Sequence, residues 1–201
     1  MTWDTEDTKR KILAAATTEF AANGPAGTTV ERIAKAAGVN KERIYNYFDS
    51  KPSLFARVLR DELAALAEAI PLTTPTPDAV SRFAGQVFDY HLEHPHLVRL
   101  LLWEGLFYAD EVPEESLRRD HYQRITETFA TGQADGALNA TVPAGTLHFL
   151  LVALAGYWVA MPQVARMLTE ADGDDDTKRA SVIKAARRLA APHPPGPSEG
   201  I

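Results

Sequence analysis

The stretch GVNKERIYNYF (38–48) places Lys41, Glu42, Arg43, Tyr45, Asn46 and Tyr47 within seven residues, with Ile44 and Phe48 spaced four apart among them. If this stretch is a helix with Ile44 and Phe48 turned inward, the polar side chains share the outward arc. Their types suit double-stranded nucleic acid. Lysine and arginine neutralise phosphates, arginine also holds O6 and N7 of guanine, and asparagine pairs with two atoms of adenine. Tyrosine hydroxyls donate to phosphate oxygens, which fixes register without reading sequence. Ten residues upstream, Thr28 opens a second helical pattern, whose free N–H groups and threonine hydroxyl suit a phosphate.

Helical periodicity positions these residues, and no stretch reads as a strand. Ile12, Ala16 and Phe20 form an apolar stripe that stops at Gly24. Thr28-Thr29-Val30-Glu31 matches a capping box, opening a helix that runs through Ile33 and Ala34 to Gly38. The short GVN turn then leads to the helix at Lys41. Two short helices joined this way form a helix-turn-helix, and the second is the reading element. Asp49-Ser50 caps a fourth helix, with Pro52 in its first turn, extending to about Ile70. PLTTPTP (71–77) breaks the pattern. Further helices are expected at about 78–93, 95–109, 113–132, 143–168 and 177–191, with Asp176 as N-cap of the last. The final PHPPGPSEGI has no apolar period, and disorder is expected there. The fold class is all-α with about nine helices.

Charge is distributed unevenly. The chain carries a formal −6 overall, yet residues 8–60 hold ten basic against four acidic side chains, a net +6, and residues 61–201 hold 11 against 20, a net −9. A basic first segment on an acidic remainder points to a polyanionic partner for the first sixty residues alone. With 45% apolar and 24% charged residues, the 201-residue chain is composed like a globular protein with a sizeable core. The absence of cysteine rules out disulfides and thiolate metal sites. No secretory leader is read at the N-terminus, and the longest apolar run, FLLVALAGYWVAM (149–161), is short for a bilayer. A cytoplasmic location and no membrane association are expected.

The run TKRKILAAATTEFAANGPAGTTVERIAKAAGVNKERIYNYFDSKPSLF resembles the DNA-binding region of the tetracycline-repressor (TetR) family of bacterial regulators. The likeness rests on Phe20 and Gly24, Thr28-Thr29 before Ile33-Ala34, Ala37-Gly38-Val39, the tyrosine-rich third helix with Phe48, and Lys51 with Leu54. It implies that Thr28, Tyr45, Tyr47 and Lys51 touch phosphates, and that Lys41, Glu42, Arg43 and Asn46 approach base edges of operator DNA. Glu42 and Arg43 stand where small residues are common in the family, and Pro52 where glutamate is common. Glu42 could accept from cytosine or pair with a neighbouring cation. In the family the rest of the chain dimerises and senses a small molecule. The expected domains are residues 1–52 for DNA binding, residues 53–192 for ligand binding and dimerisation, and a tail at 193–201.

Within the larger portion, the segment 143–168 is apolar all round, so it must be buried on two faces. Ala153, Gly156 and Ala160 form a small-residue strip along it, and Val182, Ile183, Ala186 and Leu189 an apolar stripe on the last helix. These seven are the expected dimer contacts, with the protein's own core as the alternative. Glu104 lies inside the apolar VRLLLWEGLFY (98–108), where a charge needs a partner. Either it pairs with Arg99, Arg118 or Arg124, or it faces a cavity with Trp103, Phe107 and Tyr108. His121, Tyr122, His148 and Trp158 are further polar-tipped candidates for a largely apolar effector. His91 and His94 are spaced for a shared metal, but Pro95 ends their helix and the helix dipole alone favours histidine there. DGDDD (172–176) begins like a calcium loop and lacks its later ligands. No metal or cofactor is expected. The function read from the sequence is a homodimeric, ligand-released transcriptional repressor and not an enzyme. The alternatives are an all-α carrier or enzyme with an accessory DNA-binding module, and a sequence-tolerant DNA-binding protein without an effector.

Overall fold

The computed structural model describes residues 5–108, 112, 114–169 and 174–192. Among them are ten α-helices and no strand. The tail from 193, and the start of the acidic run at 172–173, lie outside the described residues. The helices divide between two compact units. One contains residues up to Glu68 together with His94–Arg118, and the other contains Ala69–Glu93 with the residues from Arg119 onward.

In the first unit, α1 (Thr5–Gly27) buries Ile12, Ala16 and Phe20, and its regular turns stop at Gly24. Gly24 adopts φ 69°, ψ 172°, a conformation essentially confined to glycine. A Cβ there would also meet the Trp103 ring at 2.7 Å, so glycine is required twice over. The second helix, α2 (Val30–Ala37), is capped by Thr29, whose Oγ1 accepts from the Arg32 N–H at 3.3 Å. The expected cap, Thr28, is instead fully buried, and its hydroxyl donates to Glu19. At the other end Gly38 is left-handed, and the N–H groups of Gly38 and Val39 return to Lys35 and Ala34, a Schellman closure. Asn40 Oδ1 accepts from the Arg43 N–H and starts α3 (Lys41–Phe48), which buries Ile44 and Phe48. Asp49, at φ 58°, turns the chain into α4 (Lys51–Ala69), where Ser50 accepts from the Ser53 N–H. Helix α6 (Pro95–Phe107) packs along α1, with Leu97, Val98 and Leu100 buried.

The second unit is built on α5 (Pro77–Glu93), which packs against both α8 (Ala144–Ala160) and α10 (Asp175–Ala190). Gly85 allows the close approach of α10, since a Cβ there would lie 2.8 Å from Ile183 Cγ1. Most of α7 (Glu115–Ala134) belongs here and buries Phe129. Asn139 closes the end of α10 by donating its side-chain amide to the Leu189 carbonyl and its backbone N–H to that of Ala190.

The expected single helix over 143–168 is two. It breaks at Met161 and resumes as α9 (Pro162–Leu168), bent by 92°. Pro162 is the cause, because it has no N–H to donate and its ring would clash with the carbonyl four residues back. The cap of α10 is Asp174, whose Oδ1 accepts from the Thr177 N–H at 2.8 Å, and not Asp176. No single helix among the described residues is long and apolar enough to cross a membrane.

Candidate nucleic-acid interface

Anchoring Ile44 and Phe48 in the core fixes the roll of α3. Lys41, Glu42, Tyr45 and Asn46 are then exposed, and Arg43 and Tyr47 are half-buried. Lys41 Nζ lies 3.5 Å from Glu31 Oε1, a pair more than half exposed on both sides. Such a pair contributes little and exchanges readily. Glu31, in the first turn of α2, has its carboxyl lowered by its own backbone N–H first, against a smaller desolvation. Tyr47 meets Phe48 edge-on, and Lys9 Nζ sits 5.7 Å from its ring centroid. This arc combines cations, an asparagine and a tyrosine hydroxyl on one rigid helix, the equipment for groove recognition.

Thr28 and Lys51 lie behind the arc. Lys51 Nζ donates to the Thr28 carbonyl at 2.9 Å, tying the start of α4 to the entry of α2. Both side chains therefore brace the head internally. Glu19 escaped the sequence reading, and it gathers the same region. Its Oε2 accepts from Thr28 Oγ1 at 2.8 Å and Asn23 Nδ2 at 3.2 Å, and lies 3.1 Å from Arg32 Nη2.

Of the eight candidate pocket residues, four belong to the first unit and four to the second. In the first unit Trp103 lies against Gly24 and donates its indole N–H to the Ala21 carbonyl at 3.4 Å. Glu104 is buried and paired with Arg118, one of the three partners foreseen. Tyr108 stacks on Phe55 with ring centroids 5.9 Å apart, and burial first, then Glu104, raises its phenol pKa. Its hydroxyl is enclosed without a hydrogen-bond partner. Phe107 is half exposed.

In the second unit, His148 stacks on Phe129 at 5.3 Å and meets Phe83 and Tyr122 edge-on. Its Nδ1 lies 3.0 Å from Thr126 Oγ1. Burial, with a smaller contribution from His121, holds the His148 imidazole down to about 4. The His121 pKa is itself lowered, by burial and then by Arg124. Burial likewise brings His91 to about 4, with its Nδ1 facing Gly156 and lacking a partner. The His94 ring meets His96, and no group of three or more His, Asp or Glu among the described residues could hold a metal ion.

Trp158 belongs to an apolar groove of about 630 Å³ between α8, α9 and α10. Leu150, Ala153, Tyr157, Leu168 and Leu189 also line it. Among the expected dimer contacts, Ala153 and Leu189 are therefore on this groove and Ala160 is half-buried. Gly156 lies against His91, Ile183 against Gly85, and Val182 and Ala186 are inside the unit's own core. The sequence reading missed Phe149, 70% exposed, and Leu168, 77% exposed. The proline at 162 was the available signal, because it bends α9 away and opens this face.

A helix-turn-helix head carrying an exposed polar recognition helix, followed by an all-helical remainder, defines a class of DNA-binding regulator. Residues 12–58 match the domain described as bacterial regulatory proteins of the tetR family, and residues 79–188 the tetracyclin repressor-like C-terminal domain. The HTH-type transcriptional repressor SCO4008 of Streptomyces coelicolor is 42% identical over 188 residues, covering 92% of this chain and 96% of that protein. The HTH-type transcriptional repressor NicS of Pseudomonas putida is 30% identical over 142 residues, 69% of this chain and 63% of its own. The crystal structure of the Streptomyces coelicolor regulator SCO4942 superposes with a TM-score of 0.77 at 31% identity, covering 94% of this chain and 99% of the other. The chain belongs to the TetR family of DNA-binding transcriptional regulators.

Proposed function

We propose that the protein is a homodimeric repressor that binds operator DNA through α2 and α3 and leaves it when a small molecule binds the helical remainder. The observation that carries this reading is the exposed arc of Lys41, Glu42, Tyr45 and Asn46 on a helix locked by Ile44 and Phe48. Lys41, Glu42, Arg43 and Asn46 address base edges, and Tyr45 and Tyr47 address phosphates. Thr28 and Lys51 serve the same surface indirectly, by fixing the entry of α2, which packs against α3. On this reading residues 1–52 form the DNA-binding domain, and residues 53–192 the effector-binding and dimerisation domain. The site of action is the cytoplasm, where the DNA is.

A second copy covers the groove between α8, α9 and α10. Support comes from the continuous apolar lining, in which Tyr157 and Leu168 stand exposed, and from Phe149 exposed on the same helix as Tyr157. Pairing also supplies two reading heads for two half-sites. The effector is a largely apolar small molecule, for which the His148, Phe83, Phe129 and Tyr122 cluster is the best-suited surroundings. It must bind the DNA-incompetent state more tightly, since equal affinity for both states shifts nothing. Within the first unit, α4 is the helix fastened to the head, since Lys51 at its start donates to the Thr28 carbonyl.

The test is fluorescence anisotropy on a duplex that the protein itself enriches from a random library. Fractionated small-molecule extract is then titrated into the complex. Release by at least one fraction is expected. Enrichment without release by any fraction would remove the effector from the account and leave DNA binding in place.

A further inference from the structure

Glu19 sits five residues before Gly24 on α1, and a single carboxylate oxygen collects three donors there: Thr28 Oγ1, Asn23 Nδ2 and Arg32 Nη2. Thr28 is fully buried, and the Glu19 side chain is only 20% exposed, while that of Arg32 is 52% exposed. The two neutral donors keep the carboxylate in place whether or not Arg32 is bound. This separates it from the Lys41–Glu31 pair, in which both side chains are more than half exposed. Arg32 is the third residue of α2, in the first turn of a helix that packs against α3. Held on Glu19, its charge is cancelled from the standpoint of an approaching phosphate.

We propose that Glu19 is a positioning residue of the reading head, which withholds Arg32 from DNA phosphates and so raises the ratio of specific to general DNA binding. General binding scales with the number of phosphates neutralised, so withholding one cation weakens it on every sequence. On the preferred duplex, base contacts fix the register, and a phosphate contact outside that register adds less. The inference rests on the reading of α2 and α3 as the DNA-contacting surface.

Glu19→Gln keeps an oxygen to accept from Thr28 and Asn23 but removes the charge that holds Arg32. Binding to the enriched duplex and to a scrambled duplex of equal composition is measured against salt concentration, beside a thermal melt. The variant is expected to bind the scrambled duplex roughly three- to tenfold tighter, with a salt slope steeper by about 0.9. Affinity for the preferred duplex should change less than roughly twofold. Both changes should vanish in the Arg32→Ala background. Arg32→Ala alone should leave the scrambled duplex within roughly twofold of the parent, a prediction that stands even if Glu19→Gln does not fold. Equal weakening on both duplexes, or a gain that survives Arg32→Ala, would overturn the proposal. So would a loss of threefold or more in Arg32→Ala alone. A parent protein that enriches no duplex at all would instead overturn the DNA-binding reading beneath it.

Discussion

Two single residues make sharp demands. Arg43 stands half-buried on α3, beside the exposed Lys41, Glu42 and Asn46. Its truncation to alanine should cost about 1–3 kcal/mol on the preferred duplex and much less on scrambled DNA. Equal loss on both duplexes, read by anisotropy, would reassign Arg43 to phosphate contact. Gly24 has no such latitude. Alanine there must adopt φ 69°, ψ 172° and push its Cβ into the Trp103 ring. Gly24→Ala should therefore lower stability by about 2–5 kcal/mol in chemical denaturation. The sequence marked Gly24 as a helix stop but held no sign of the indole on it. That contact joins residues 79 positions apart, and no local period encodes it. Glu19 was invisible for a related reason. Its partners Thr28 and Arg32 reach it only because the chain reverses at Gly24, whereas Ile44 and Phe48 announce their shared face by spacing alone.

Among the elements, α8 is where composition speaks least clearly. A helix apolar on every side reveals that it is buried but not which side meets which neighbour. Its buried side carries Leu147, His148, Leu151 and Ala155, and its open side carries Phe149, Leu150, Ala153 and Tyr157. The stripe on α10 was equally ambiguous, and Val182 and Ala186 face the unit's own core. Leu189 and the α9 wall complete the open groove, so a charge placed there should stop pairing without unfolding the protomer. Leu150→Glu combined with Tyr157→Glu should sediment as a folded monomer and bind the preferred duplex at least tenfold more weakly, because paired half-sites then act singly. A double variant that still sediments as a dimer would place the interface elsewhere. Among the three consecutive aspartates at 174–176, the sequence pointed to Asp176 as the cap, two residues too late. Only the helix start, with Asp174 accepting from Thr177, selects among them.

For the whole molecule, stability should depend on pH through two buried imidazoles. His91 and His148 are both held down to about 4 by burial, below the ordinary value of 6.5. Between those values the unfolded chain binds more protons than the native one, so stability is full above about 6.5 and falls as pH drops toward 4. Each histidine should remove on the order of 2 kcal/mol by about pH 5. Melting temperatures across this range should fall steeply for the parent and less steeply for His148→Phe, which keeps the contacts with Phe129 and Phe83. An unchanged slope in that variant would exonerate His148. The all-helical class, the basic first segment and the head were legible because local periods and charge encode them. The open groove was not, because it depends on where Pro162 redirects the chain.

The most direct measurement of the central claim is the sequence of the duplex that the protein enriches from a random library. Two reading heads related by a two-fold axis should select an inverted repeat, with half-site centres about one helical turn, roughly 34–36 Å, apart. Asn46→Ala should enrich the same spacing with relaxed choice at one position in each half. Enrichment of an asymmetric single site, or of no sequence at all, would contradict the account.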